Sequence, residues 1–409
     1  MAHKRTANVI LSELIPVAYV VHGEVRVSKA AGNDNVRSRD YGIYVGLVNE
    51  LYFLKPDFAQ TVGKNFFNLR VNSFFEERGF VEDMVSEKEA DAWVKKITDI
   101  PVFEVRVFAE LSGVMLCFDE PVQLGPYMLY DASRHMKSLL DHSYNSNLKE
   151  CLDDESAILL RVNVLVRDLY AASDVAAPLF EQFERTVSFM MNNRTVGSGA
   201  KVSTMLHAPL IVTYACAPDG QLIKGRKRAD MGHYPEMDDS YFTDPRLGHD
   251  FIWKLLATKS RSDVEKRIMS TVDWIGQALL DKSAANRLLK AAIAIESLFS
   301  IGKDYMNKSL TAQLSECVAQ VMGDDLLSRI RIEKEVKELY KLRSAVVHGI
   351  ENSTDLQQAN RLVELAAECL HRFITCRSLR AIKTDDQLRN YFNSLRFAGA
   401  TAFVDGTVA

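Results

Sequence analysis

The chain is short of the residues that staple or anchor a fold from outside. Six cysteines stand among 409 residues, at Cys117, Cys151, Cys216, Cys317, Cys369 and Cys376, with no Cys-x-x-Cys and no Cys/His spacing of the kind that holds zinc. They read as reduced thiols, and neither a metal nor another cofactor is expected. No run approaches about 18 apolar residues, so no membrane span is expected. The most apolar early stretch, Val9 to Val21, is broken by Glu13 and Pro16 and leads to no small-residue cleavage site, which places the protein in the cytoplasm. A large excess of one charge is missing too. Fifty Lys and Arg against 54 Asp and Glu leave −4, which argues against a protein that coats nucleic acid indiscriminately.

What is present is ordinary globular composition, 47% hydrophobic and 25% charged, with room for two or three cores. The charge is uneven. Residues 251–409 carry 23 basic against 19 acidic side chains and residues 1–250 carry 27 against 35, so the C-terminal part is +4 and the remainder −8. A locally basic C-terminal domain is suited to hold a polyanion.

Residues 1–250 mix strand and helix signals. Residues 102–108 and 160–166 alternate apolar and polar positions as half-buried strands do, and 114–118 and 210–214 are shorter strand candidates. Pro126 to His142 and Ala176 to Asn192 read as helices. The expectation is an α+β region, with the acidic stretch 147–155 as a candidate divider between two lobes and Tyr241 to Asp250 as the boundary before the helical part.

Several features of this region resemble sites without the full chemistry. Gly197 to Lys201 lacks the Gly-x4-Gly-Lys-Ser/Thr order that wraps a phosphate and reads as a connection. His233 to Asp239 offers ligand-type side chains without metal spacing and reads as a polar loop. Lys224, Arg226, Lys227 and Arg228 form a dense basic cluster after the Pro218-Asp219-Gly220 turn; it reads as a solvated loop, with contact to RNA phosphates as the functional alternative.

From residue 251 the period is helical. Val264, Ile268, Val272, Ile275 and Leu279 begin a series of helices over 264–279, 284–299, 310–322, 326–347, 355–378 and 385–396. Short connections imply an up-and-down bundle, and Thr354 with Gln357 suggests the cap of the fifth helix.

On the fourth of these helices, at about 100° per residue from Leu339, Ile332, Val336, Leu342, Val346 and Val347 spread from about −60° to +80°, and Arg343 falls at about +40° among them. A guanidinium on a core face needs a partner, because an isolated buried charge costs several kcal/mol. The second helix offers Glu296, surrounded on its own wheel by Leu289, Ala292, Ile293 and Phe299. An Arg343–Glu296 ion pair is therefore expected, either as a register-fixing salt bridge or as part of a site. His348 lies five residues beyond Arg343 and about 140° round the helix, so the two do not share a face unless Gly349 ends the helix and frees the imidazole, or two subunits meet. Tyr340, three residues before Arg343, and Ser344 are nearby hydrogen-bonding groups. A second Arg-x4-His, Arg228 to His233, has no apolar periodicity to hold it and is assigned no role.

Four segments together resemble the HEPN superfamily, within it the ApeA-like group. They are Val272-Asp273-Trp274-Ile275-Gly276-Gln277-Ala278-Leu279, Ala294-Ile295-Glu296-Ser297-Leu298-Phe299, Leu314-Ser315-Glu316-Cys317-Val318-Ala319, and Leu339 through Arg343 and His348 to Gly349. The resemblance covers about residues 262–396, a third of the chain, and leaves the N-terminal region unassigned. It implies an all-α HEPN-type bundle over 251–409 behind a sensor or regulatory region over 1–250 that answers an activating ligand or phage-derived trigger. It further implies a metal-independent endoribonuclease, a toxin or antiviral-defence effector, that cuts RNA at Arg343 and His348 across a homodimer formed by the bundle. Its alternative is a non-catalytic HEPN module that binds a nucleotide or protein or only dimerises.

Overall fold

The computed structural model describes residues 6–14, 39–78, 84–140, 158–169, 171–192, 203–204, 210–216, 222–228, 236–299, 309–349 and 355–397, and among these five helices precede the first strand. They are α1 (7–14), α2 (Arg39–Leu54), α3 (Pro56–Thr61), α4 (Lys64–Glu77) and α5 (Glu87–Thr98). Pro56 opens α3, where its missing N–H costs nothing, and Ser86 with Glu89 forms a reciprocal capping box at the start of α5. Their shared core is aromatic: Tyr52, Phe58, Phe67, Phe75 and Trp93 are buried with Ile10, Leu11, Leu51 and Val71. A fully buried Phe such as Phe67 contributes roughly 2–3 kcal/mol through its apolar area.

The strands are β1 (Phe103–Ser112), β2 (Val122–Leu124), β3 (Tyr127–Asp131), β4 (Ile158–Val166) and β5 (Ser203–Thr204), forming one sheet in the order β2-β3-β4-β1-β5. A separate two-stranded ribbon pairs β6 (Leu210–Cys216) with β7 (Leu222–Arg228) in antiparallel register, Tyr214 opposite Lys224. α6 (Met136–Leu140) and the long α7 (Ala171–Asn192) complete this part of the chain. A mostly helical chain with a small sheet in its N-terminal half agrees with the α+β expectation.

Three expectations are corrected here. Pro126 to His142 is not one helix: Tyr127–Asp131 is β3, and helix begins only at Met136. The reason is the two-residue turn Gly125-Pro126, with Gly125 at φ +60, which pairs Leu124 with Tyr127 and commits the following residues to the sheet. Lys224 to Arg228 lies in a strand, not a loop. Of residues 114–118, only Met115 makes a bridge, to Glu236, while Asp238 accepts hydrogen bonds from the Cys117 and Phe118 amides at 2.5 and 2.6 Å. Gly197 to Lys201, His233 and the proposed divider at 147–155 lie outside the described residues.

The C-terminal helices are α8 (His249–Ala257), α9 (Asp263–Leu280), α10 (Ala284–Phe299), α11 (Leu310–Met322), α12 (Leu326–Val347), α13 (Leu356–Thr375), α14 (Arg377–Arg380) and α15 (Asp385–Phe397). The cap of α13 is Asp355 with Gln358, one residue later than Thr354 with Gln357, and Cys376 separates off α14. Packing is densest between α9 and α10, α10 and α13, and α11 and α12. The buried face of α10 includes Ala291, Ala292 and Ala294, small enough to let neighbouring helices approach closely.

By contacts the chain forms two compact units, residues 1–107 with 162–179, and residues 108–161 with 180–409. Within the second unit, Tyr127 of β3, Phe183 of α7 and Trp253 of α8 have ring centroids 5.0–6.1 Å apart, and Arg185 of α7 pairs with Asp273 of α9 at 2.9 Å. Aromatic burial ties α7 and β3 to the bundle, a distance in sequence that local periodicity does not register. Among the described residues no helix is long and apolar enough to cross a membrane.

Candidate active site

Helix α12 starts at Asp325, whose side chain caps Ser328 N at 2.7 Å while Ser328 Oγ accepts from Asp325 N. Ile332, Val336, Leu339 and Tyr340 form its buried stripe. Near its end the cover thins. Leu342 and Val346 are half-buried, and Val347, within the same apolar arc, is 53% exposed.

Arg343 and Glu296 meet, Nη2 to Oε1 at 3.3 Å, with their side chains 32% and 20% exposed. The contact has the distance of an ion pair but not the direction of a hydrogen bond, and Arg343 Nε and Glu296 Oε1 are both buried without one. Burial pushes the Glu296 carboxyl above its ordinary range, against the opposing pull of Arg343. The pair is thus loose and incompletely satisfied, at the margin of the core rather than in its middle.

Tyr340 has a firmer role. Its buried hydroxyl donates to Ala292 O at 3.1 Å, one turn before Glu296 on α10, so Tyr340 and Arg343 grip successive turns of the same helix. Burial first, then the negative charge of Glu296, hold this phenol well above its usual range, so it remains a neutral donor. Tyr340 therefore positions α12 on α10; the hydrogen bond recorded for its hydroxyl goes there and not to Arg343 or Ser344.

His348 caps the helix with its imidazole exposed. Its backbone N–H still donates to Ser344 O at 3.1 Å, the last intrahelical bond, while its own φ −87 and ψ 2 leave the helix. Gly349 then turns away at φ +66, a conformation that favours glycine, and its N–H donates to Val346 O. His348 accordingly keeps its place about 140° from Arg343 on the wheel. The fold brings Glu296, Tyr340 and Arg343 together on the inner side and leaves His348 and Ser344 exposed. The other sequence candidates, Lys224, Arg226, Lys227 and Arg228, lie on β7 of the separate ribbon, in register with Tyr214, Val212, Ile211 and Leu210 of β6.

One set of residues was missed by motif reading. Lys334, Lys337 and Lys341 precede His348 on the outer side of α12, with Lys334 and Lys341 exposed and Lys337 paired to Glu333 at 2.5 Å. Their spacing of three and four was visible on the wheel that located Arg343, on the side away from the apolar arc.

A scan against protein-family models gives no match, and comparisons with curated proteins and with solved structures give none either.

Proposed function

We propose that the protein is a metal-independent endoribonuclease of HEPN type, acting as a toxin or antiviral-defence effector, with Arg343 and His348 as its catalytic residues and Glu296 as the group that orients Arg343. The observation that carries this reading is the pairing of a partly exposed guanidinium with a carboxylate on α10, on a helix whose C-terminal cap is an exposed histidine.

In this mechanism imidazole removes the proton of a ribose 2′-OH as its oxygen attacks phosphorus. Imidazolium gives a proton to the departing 5′-oxygen as the P–O5′ bond breaks. Arg343 offsets the charge that accumulates on the phosphorane oxygens. The products are a 2′,3′-cyclic phosphate and a 5′-OH, and DNA, lacking the nucleophile, resists. Because Arg343 and His348 occupy different sides of α12, the reading requires a homodimer in which Arg343 works with His348 of the partner subunit. The uncovered end of the apolar arc at Val347 suits such a contact. Residues N-terminal to the bundle then act as the regulatory region that receives an activating ligand or trigger.

The test is cleavage of RNA in EDTA by the wild type, Arg343→Ala and His348→Ala, each checked for folding. Loss in both variants is expected; full activity in both overturns the assignment. The non-catalytic module remains the second reading, favoured by the apolar residues Leu326, Leu327 and Ile330, 63%, 79% and 56% exposed at the start of α12, which suit a protein contact. It predicts a folded, dimeric wild type that cuts no RNA.

A further inference from the structure

The outer face of α12 continues to His348. Taking His348 as zero on the wheel, Lys341 lies at about +20°, Lys337 at about −20° and Lys334 at about +40°, with Ser344 at about −40°. At the rise of an α-helix the three lysines stand about 10, 16 and 21 Å up the axis from the histidine. The acids of this helix lie to the sides: Glu333 at about −60°, Glu338 at about +80° and Glu335 at about +140°. Glu335 is already engaged by Arg361 at 2.7 Å, and Glu333 by Lys337. Among the described residues neither Lys334 nor Lys341 has a salt-bridge partner, and both are exposed.

We infer that Lys334, Lys337 and Lys341 form a track for the phosphates of single-stranded RNA, leading the strand along α12 to His348. The inference rests on the ribonuclease reading for what happens at the end of the track, and on the helix geometry for the track itself. Cations in line at helical spacing follow a polyanion backbone without reading bases, since ammonium groups on flexible stems contact phosphates and not base edges. The track also answers an electrostatic difficulty of the site. A helix C-terminus carries partial negative charge and repels a phosphate, and the lysines upstream supply the positive charge that holds one there.

The experiment measures binding of a fluorescein-labelled single-stranded RNA to the full-length protein, in a His348→Ala background that keeps the RNA intact, across a series of salt concentrations. In the triple variant Lys334→Gln/Lys337→Gln/Lys341→Gln, the slope of log affinity against log salt should fall by about 2, since each phosphate contact on a single strand contributes about 0.7. Lys→Arg at the same three positions should restore it, which a loss of folding does not allow. In the His348-containing protein the Gln variant should raise KM with little change in kcat, because the contacts lie away from the reacting atoms. An unchanged salt slope in the Gln variant overturns the track and leaves the nuclease reading standing. A reduced slope together with a wild type that cuts no RNA keeps the track and removes the nuclease. A wild type that binds no RNA removes both.

Discussion

Two arginines approach α10 near its C-terminal end, at neighbouring residues, and they are held very differently. Arg267 of α9 reaches Asp385 of α15 with two hydrogen bonds of 2.8 Å and donates a third to Ser297 O at 3.1 Å. Arg343 of α12 touches Glu296 once, at 3.3 Å, with its Nε unsatisfied. The carboxylates respond in opposite senses. The Arg267 hydrogen bonds hold Asp385 below its ordinary range, whereas burial pushes Glu296 above its own. The first arrangement is a brace in which each of the three guanidinium nitrogens donates a hydrogen bond. The second leaves its Nε without a bond, and this contrast sets Arg343 apart from Arg267.

The largest test of the contrast is activity. On the ribonuclease reading, Arg343→Ala and His348→Ala should each lower the single-turnover rate of RNA cleavage by about 100-fold or more. Arg267→Ala should lower it only as far as the population of folded protein falls. Equal losses in Arg267→Ala and Arg343→Ala, both tracking unfolding, make Arg343 a second brace.

Stability should rank the two in the other order. Arg267→Ala removes two charge-assisted hydrogen bonds to Asp385 and a bond to a carbonyl, an expected cost of about 2–3 kcal/mol in urea unfolding. Arg343→Ala removes a partly exposed contact without hydrogen-bond geometry, and the Glu296 left behind can take up a proton, so about 1 kcal/mol or less is expected. A larger loss for Arg343 than for Arg267 reverses the interpretation of the two corners.

The sequence showed one of these corners and not the other, for a physical reason. Arg343 and Glu296 each interrupt an apolar stripe, and a charge inside a stripe is visible on a helical wheel before any partner is known. Arg267 and Asp385 lie at the edges of their stripes and look like surface charges until α9 and α15 are placed side by side. The same limit explains the other differences. The six C-terminal helices were legible because Val264 to Leu279 and its successors repeat at 3.6 residues. The β3 strand was not, because Tyr127-Met128-Leu129-Tyr130 is a short apolar run without alternation, a pattern that helix and strand share. The aromatic helices of residues 39–98 were not assigned at all, since Tyr52, Phe58, Phe67 and Trp93 identify a core only once they converge.

Acidity should separate the corners further. A carboxyl raised by folding binds its proton more tightly in the native state. Glu296 therefore contributes stability that is full below the ordinary value of 4.5 and is lost as pH rises through its raised value. Asp385 behaves in the opposite sense: its contribution is present above the ordinary value of 3.8 and is lost as pH falls through its lowered value. In urea titrations across this range, Glu296→Gln should flatten the decline on the alkaline side, and Asp385→Asn the decline on the acid side. Identical pH profiles for the two variants contradict the opposite shifts.

The smallest effect on stability is expected at Gly349, and it sharpens the comparison from the side of His348. A side chain there meets no atom within 4 Å, so Gly349→Ala introduces no clash, only the cost of φ +66 for an L-residue, about 1–2 kcal/mol if the turn is kept. A helix terminus can escape that cost by unwinding its last residues, so the change in global unfolding should stay below about 1 kcal/mol. The unwinding moves His348 and leaves Arg343, one turn deeper and held by Glu296, where it was. If cleavage depends on His348 sitting at this terminus, Gly349→Ala should reduce the rate several-fold while the melting temperature barely changes. A rate that falls only in step with melting makes the left-handed turn a helix stop and nothing more.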